Sequence, residues 1–187
     1  MKLKDTSTSF ATRIFAEVTQ ELLQKTTGKK FHISGTIIQI PCVKLSGDIA
    51  SFVTFYGDYS GLMVLNFESQ AALETVRAML AGMGLGEEDM PTSATSDDVR
   101  NNVGELTNQA IGKIRSVIQH KYDVMAKANI PATVPVKVPL ELSMETKGHS
   151  EMECMRVVFI TEGNNRFYME LALEPMLWTP LSETPKK

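Results

Sequence analysis

The order of helical and extended patterns along the 187 residues predicts an α+β fold, with a mainly antiparallel six-stranded sheet and about three helices. Extended patterns come in neighbouring pairs joined by turn residues, as in hairpins, and do not alternate singly with helices. Amphipathic helical patterns stand before the first group of strands and between the two groups. The composition, 43% hydrophobic and 22% charged, is that of a globular chain.

The first half of the chain has the pattern of a helix, three strands and a second helix. Apolar residues recur every four positions in the first helical pattern, and Gly28 ends it. Ser69 is a good N-cap for the second helix. The predicted elements are helices over about 9–28 and 69–83 and strands over 31–43, 48–57 and 61–67.

The second half of the chain has the pattern of a long helix followed by three more strands. A polar loop over 84–96 precedes the helix, which is predicted from about Asp97 to near Met125. We expect a single domain over residues 1–187, with a core at about 10–173 and an irregular C-terminal extension at 174–187 that contains Trp178. The further predicted strands cover about 133–146, 151–160 and 166–173.

Charge and composition disfavour several classes of function. A net charge of -3 argues against nucleic acid or anionic lipid as the main partner. Two cysteines, Cys42 and Cys154, are too few for a disulfide framework. No apolar run is long enough for a membrane span and none follows the N-terminal lysines as in a signal peptide, so a cytoplasmic protein is expected. Nucleotide-binding loops and metal-ligand spacings are absent, so we expect no metal site.

The third predicted helix carries the most informative pattern. Its apolar residues cluster on one side at about 100° per residue. Asn101, Glu105, Asn108 and Gly112 lie on the opposite side, and Glu105 and Asn108 are surface neighbours at i and i+3. The helix therefore presents a carboxylate, carboxamides and a bare glycine on one stripe, although a solvated helix face is the commonest meaning of such a stripe.

The spacing of Glu105 and Asn108 is weak evidence by itself. A second match, at residues 162–165, falls in a predicted turn and is given no role. The first helix offers Glu17 and Gln20 at the same spacing, and we interpret these as an ordinary helix face.

The wider sequence context gives the stripe more weight. Residues 102–108, Asn-Val-Gly-Glu-Leu-Thr-Asn, followed by Gly112 and Lys113, resemble the segment Gly-Glu-Leu-x-Asn that opens a long helix in the CheC/CheX phosphatases of bacterial chemotaxis. The upstream strand pair and helix, residues 57–83, also look much like CheX. The resemblance covers roughly residues 10–173 and is closest to CheX.

The resemblance implies a function and assigns roles to the stripe. CheX-like proteins bind a phosphorylated CheY-type receiver and speed hydrolysis of its aspartyl phosphate. By resemblance, Asn108 would orient the attacking water, Glu105 would pair with the active-site lysine of the receiver, and Asn101 and Gly112 would contact the receiver. No cofactor of its own is implied, because Mg²⁺ would belong to the receiver.

Two positions depart from the family pattern. Asn101 stands where Asp or Ser is frequent, and Lys113 stands where CheC-like members often carry Pro. These departures keep open a non-catalytic CheC-like binding module in bacterial signalling, and an unrelated structural protein with a chance motif is a third alternative. The resemblance also allows a homodimer paired through sheet edges.

Overall fold

The structure is a computed structural model that describes residues 7–144 and 151–176, and three α-helices and ten β-strands lie within these ranges. The helices are α1 (Ser7–Thr27), α2 (Ser69–Gly82) and α3 (Asp97–Tyr122), with one 3-10 turn at Glu87–Asp89. The strands are β1 (Phe31–Ile33), β2 (Ile38–Ile40), β3 (Val43–Leu45), β4 (Ile49–Gly57), β5 (Gly61–Phe67), β6 (Ala126–Ala128), β7 (Ala132–Pro135), β8 (Leu140–Leu142), β9 (Glu153–Thr161) and β10 (Arg166–Leu173).

Eight of these strands form one antiparallel sheet. Its order is β1-β9-β10-β5-β4-β6, with β2 also on β9 and β7 also on β4. The sheet therefore has six strand positions, and each outer position is shared by two short strands. Strands β3 and β8 form a separate antiparallel pair. The predicted fold class, α+β with a mainly antiparallel sheet and three helices, is confirmed.

Three predicted elements differ in detail from the structure. The single strand predicted over 31–43 is three short strands, and Pro41, which has no N–H to donate, lies between the last two. The third helix ends at Tyr122 because Asp123 adopts a left-handed conformation with φ 54°. The strand predicted over 133–146 is two strands, and its residues 145 and 146 lie outside the described residues, as do 177–187 with Trp178.

Both outer positions of the sheet are interrupted by irregular backbone. On β9, the ladder passes from the pair Ile33–Phe159 to the pair Ile38–Arg156. Four residues of the edge chain thus lie between these pairs where β9 has two, so the edge chain leaves the sheet between β1 and β2.

The opposite edge contains a bulge at Ile130 and Pro131. Phe55 pairs with Ala128, and the next residue, Asn129, donates its backbone N–H to the carbonyl oxygen of Thr54 at 3.0 Å. The ladder resumes with Ala132 opposite Phe52. Ile130 and Pro131 together therefore stand opposite Val53 alone, which is a β-bulge, and we call these two residues the edge bulge.

The three helices cover one face of the sheet and enclose the main core. Phe167 of β10 lies at its centre, with its ring stacked on those of Phe67 and Phe159 at centroid distances of 4.4 and 4.8 Å. Burial of such rings provides most of the stabilisation of a core of this kind. The helices contribute fully buried side chains to it, among them Phe15, Leu23, Val76, Val103, Leu106 and Ile114.

The other face of the sheet is partly covered by the β3–β8 pair, and it contains a buried carboxylate. Glu170 is 0% exposed, and its Oε1 accepts hydrogen bonds from Nε and Nη2 of Arg156 at 2.8 and 2.6 Å. Its Oε2 accepts the backbone N–H of Lys44 of β3 at 2.8 Å. The charge of Glu170 is thus paired and hydrogen-bonded, as a buried charge must be.

A second carboxylate holds the turn between β9 and β10 against α2. Glu74 accepts hydrogen bonds from the hydroxyl of Thr161, the N–H of Gly163 and the carboxamide of Asn165. Burial alone would raise the pKa of Glu74, but these three hydrogen bonds and the positive charge of Lys29 together outweigh it, so that its pKa lies below the usual value.

This carboxylate predicts an acid-dependent loss of stability. The pKa of Glu74 is lower in the folded state than in the unfolded state. Its contribution to the free energy of unfolding is therefore fully present above the unfolded-state pKa of 4.5 and is lost as the pH falls through the folded-state pKa. We expect the difference in free energy of unfolding between wild type and Glu74→Gln to shrink as the pH falls below about 4.5, when urea unfolding is measured across a pH series. The matched control is Glu17→Gln, at an exposed position on α1, and a difference for Glu74→Gln that stays constant with pH would contradict the prediction.

Candidate functional site

Helix α3 carries the residues that the sequence singles out, and both of its ends are defined. At its start, the Ser96 hydroxyl accepts the backbone N–H of Val99 at 3.3 Å, and Asp97 and Asp98 occupy the first turn. These groups satisfy a free donor and complement the positive end of the helix dipole. At its end, the N–H of Asp123 donates to the carbonyl oxygen of Gln119.

One face of α3 is buried against the sheet and the other is exposed. The exposed face contains Asn101, Glu105, Asn108 and Gly112, which we call the exposed stripe. The structure thus places all four predicted site residues on one face of one helix. The buried face consists of Val99, Val103, Leu106, Thr107, Ala110, Ile111, Ile114 and Ile118.

The two residues expected to carry the chemistry lie side by side on this stripe. Glu105 Oε1 accepts a hydrogen bond from Nε2 of Gln109 at 2.8 Å, which steadies the carboxylate one turn along the helix. Within residues 7–144 and 151–176, the Asn108 carboxamide has no hydrogen-bond partner. Its oxygen can therefore accept a hydrogen bond from an incoming molecule, and its NH₂ group can donate one to it.

Other elements flank the stripe on both sides. On the α1 side, Lys113 Nζ lies 3.4 Å from Glu21 Oε2. On the sheet side, Arg115 Nε donates to the carbonyl oxygen of Ala126 of β6 at 2.6 Å. These contacts, which the sequence did not predict, join α3 to α1 on one side and to β6 on the other.

The two glycines of α3 have different surroundings. A Cβ atom built on Gly104 would lie 3.0 Å from Oγ1 of Thr133 on β7, so the missing side chain allows close packing there. A Cβ built on Gly112 would meet no atom of the described residues within 4 Å. Packing within the described structure therefore does not require a glycine at 112, and the open space above it is available to a partner.

The two other matches to the spacing have structural roles. Nε2 of Gln20 on α1 donates to the carbonyl oxygen of Phe31 at 2.6 Å, which ties α1 to β1. The match at residues 162–165 lies at the β9–β10 turn, where Asn164 has φ 63° and Asn165 binds Glu74.

Comparison of the fold with solved structures gives a consistent class. CheX from Desulfovibrio desulfuricans matches with a TM-score of 0.68 at 22% identity, over 88% of this chain and 99% of that one. A CheC-like superfamily protein from Shewanella sp. PV-4 matches with a TM-score of 0.70 at 19% identity, over 88% and 97%. A chain of the CheX-CheY-BeF₃-Mg²⁺ complex from Borrelia burgdorferi matches with a TM-score of 0.63 at 12% identity, over 87% of this chain and 97% of that one. The fold is therefore that of the CheC/CheX-like chemotaxis proteins.

Sequence comparison gives the family. Residues 7–184 match the family model described as "Protein of unknown function (DUF3334)", and the chain belongs to this family. No curated protein sequence matches significantly. Among the described helices, none is both long enough and apolar enough to cross a membrane.

Proposed function

We propose that this protein is a CheX-like phosphatase, which docks a phosphorylated CheY-type receiver and positions water to hydrolyse its aspartyl phosphate. The observation that carries the proposal is the exposure of Glu105 and Asn108 as neighbours on α3, in a chain with the CheX fold. A buried pair would instead favour the chance-motif alternative. The presence of CheY in the Borrelia burgdorferi complex supports a receiver as the partner.

The reaction requires few chemical groups from the docking protein. The receiver supplies the phosphoaspartate and its Mg²⁺, so an auxiliary protein only has to hold a water in line with the scissile bond. The carboxamide of Asn108 can donate to and accept from such a water without competing as a nucleophile. The carboxylate of Glu105, facing the active-site lysine of the receiver, would add a charge-assisted contact in a partly desolvated interface.

The stripe also offers residues that would contact the receiver without taking part in the chemistry. Asn101 lies one turn before Glu105 and is exposed, and Gly112 lies one turn after Asn108 with open space above it. We assign both to receiver binding. From the resemblance we further propose that the protein is cytoplasmic and forms a single domain with its core at about residues 10–173. It would need no cofactor of its own, and it would pair through sheet edges as a homodimer.

A second candidate function is a binding module that docks a receiver without accelerating hydrolysis. The observation that favours it is the position of Lys113, which replaces the frequent Pro and forms an ion pair with Glu21 beside the stripe. Such a module would keep the docking contacts and lack the catalytic effect. Binding that does not depend on phosphorylation of the receiver would favour this alternative.

The deciding experiment measures loss of phosphate from a panel of phosphorylated receiver domains encoded in the same genome. Each receiver is assayed alone, with wild type, and with Glu105→Ala. In parallel, the affinity of the protein for each receiver is measured with the receiver activated by beryllofluoride and without this activation. Faster hydrolysis of one receiver with wild type, lost in Glu105→Ala, supports the phosphatase. Binding with no acceleration supports the module, and neither effect with any receiver would reject both.

Gly112 provides two predictions, one for the stability of the protein and one for its binding of the receiver. Gly112→Ala should raise the free energy of unfolding by up to about 1 kcal/mol, because it removes a glycine from a helix interior with no clash. Gly112→Leu should weaken binding of the beryllofluoride-activated receiver about tenfold, because its side chain fills space that the partner needs. Urea unfolding and titration calorimetry test the two effects.

The matched control for Gly112→Leu is Gln119→Leu, which adds the same side chain at an exposed position about two turns further along α3. Unchanged binding with Gly112→Leu would show that the receiver does not approach this part of the stripe.

A further inference from the structure

The edge bulge lies beside the part of α3 that carries Asn108. Two contacts relate the edge chain to the helix. Arg115 is hydrogen-bonded to the carbonyl of Ala126, and Gly104 packs against Thr133. The edge chain thus runs antiparallel to α3 between these two contacts.

The position of Ile130 along the helix follows from these contacts. It is four residues after Ala126 and three before Thr133, and the helix advances about 1.5 Å per residue between Arg115 and Gly104. Interpolation places Ile130 at the level of Asn108. On the helix surface, Gly104 and Arg115 lie on the same side of the stripe as Asn108, so the edge bulge is on that side.

Ile130 is unusually exposed for an isoleucine, and the chain on both sides of it is fixed. The residue is 92% exposed, the highest value among the exposed large hydrophobic residues of the described chain. Asn129, just before it, is held by two hydrogen bonds to Thr54, from its backbone N–H at 3.0 Å and its carboxamide at 2.6 Å. Pro131, just after it, has a restricted φ. Binding of a partner would therefore cost little conformational entropy in this segment.

We propose that Ile130 is an apolar contact for the receiver that binds the exposed stripe, packing on the rim of its phosphorylation site next to Asn108. The inference rests on the proposed function, because the receiver is the partner that the stripe would bind. A rigid apolar side chain beside a polar pair would give the interface the combination of apolar anchor and polar contacts that specific complexes use. The surface of the receiver opposite Ile130 would be an apolar patch at the edge of its phosphorylation site.

The test compares the affinity of three variants for the beryllofluoride-activated form of the receiver that wild type dephosphorylates. Ile130→Ser should raise Kd about tenfold, and Ile130→Leu, which keeps the apolar surface, should stay within about threefold of wild type. The matched control is Val138→Ser, because Val138 is 69% exposed and precedes β8. In the phosphatase assay, the Ile130→Ser effect should appear in KM, and its thermal unfolding should match that of wild type.

The outcomes separate this inference from the proposed function. An Ile130→Ser affinity equal to that of wild type, in a protein that does dephosphorylate the receiver, would reject the apolar contact and leave the phosphatase in place. An equal loss with Val138→Ser would also reject it. If wild type binds none of the activated receivers, the apolar contact and the proposed function are both rejected.

Discussion

Replacing Asn108 by alanine is expected to reduce the acceleration of receiver dephosphorylation about 100-fold, leaving little beyond the rate of the receiver alone. The reason is that the proposed role of Asn108 is to hold the attacking water, and alanine has no group that can donate or accept. Affinity for the beryllofluoride-activated receiver should change less than about threefold, because this stable phosphate mimic does not require the water to react. Single-turnover loss of phosphate, with enzyme in excess, measures the effect directly.

The control for Asn108→Ala removes the same chemical group elsewhere on α3. Gln119 is exposed, lies three turns further along the helix and also carries a carboxamide. Gln119→Ala should retain the wild-type rate, and both variants should unfold at the wild-type temperature because both side chains face solvent. An Asn108→Ala protein that accelerates hydrolysis as well as wild type would remove the water-positioning role from this residue.

The largest expected effect on stability comes from Glu170→Ala. This change should lower the free energy of unfolding by about 3 kcal/mol, because it leaves Arg156 and the Lys44 N–H without their buried acceptor. Urea unfolding at pH 7 gives the value. Glu17→Ala, at an exposed position on α1, should change it by less than about 0.5 kcal/mol.

A double substitution tests the physical cause of that loss. Arg156→Met with Glu170→Leu removes both charges and keeps apolar volume, so it should cost less than Glu170→Ala alone. If the double variant is the less stable of the two, the charge pair itself stabilises the sheet. A Glu170→Ala loss below about 1 kcal/mol would mean that the β3–β8 pair does not isolate this carboxylate from water.

The helix that carries the candidate site was the most predictable part of the molecule. Its buried residues repeat with helical period from Val99 to Ile118, over more than five turns, so its start and its exposed stripe follow from sequence. Its end was predicted about three residues late, since a left-handed Asp123 gives a weaker stop signal than the glycine that usually takes that role.

The features that sequence reasoning missed depend on contacts between distant residues. Strands of three residues, such as β6, are too short to show a period of two. Alternation in β10 shows that Glu170 faces away from the helices, but not that β3 covers that face. Similarly, Thr133 and Ala126 contact α3 on the side next to Asn108, and no local sequence pattern indicates that they lie close to this helix.

The interrupted edges of the sheet affect the tendency of this protein to aggregate at high concentration. Its long apolar strands, β4, β5, β9 and β10, occupy the four inner positions, and the outermost segments are three or four residues long. Stacking into amyloid-like fibrils needs about six consecutive residues with free backbone groups. The native fold therefore withholds its most aggregation-prone segments, and fibril growth from this protein would require the edge strands to detach first.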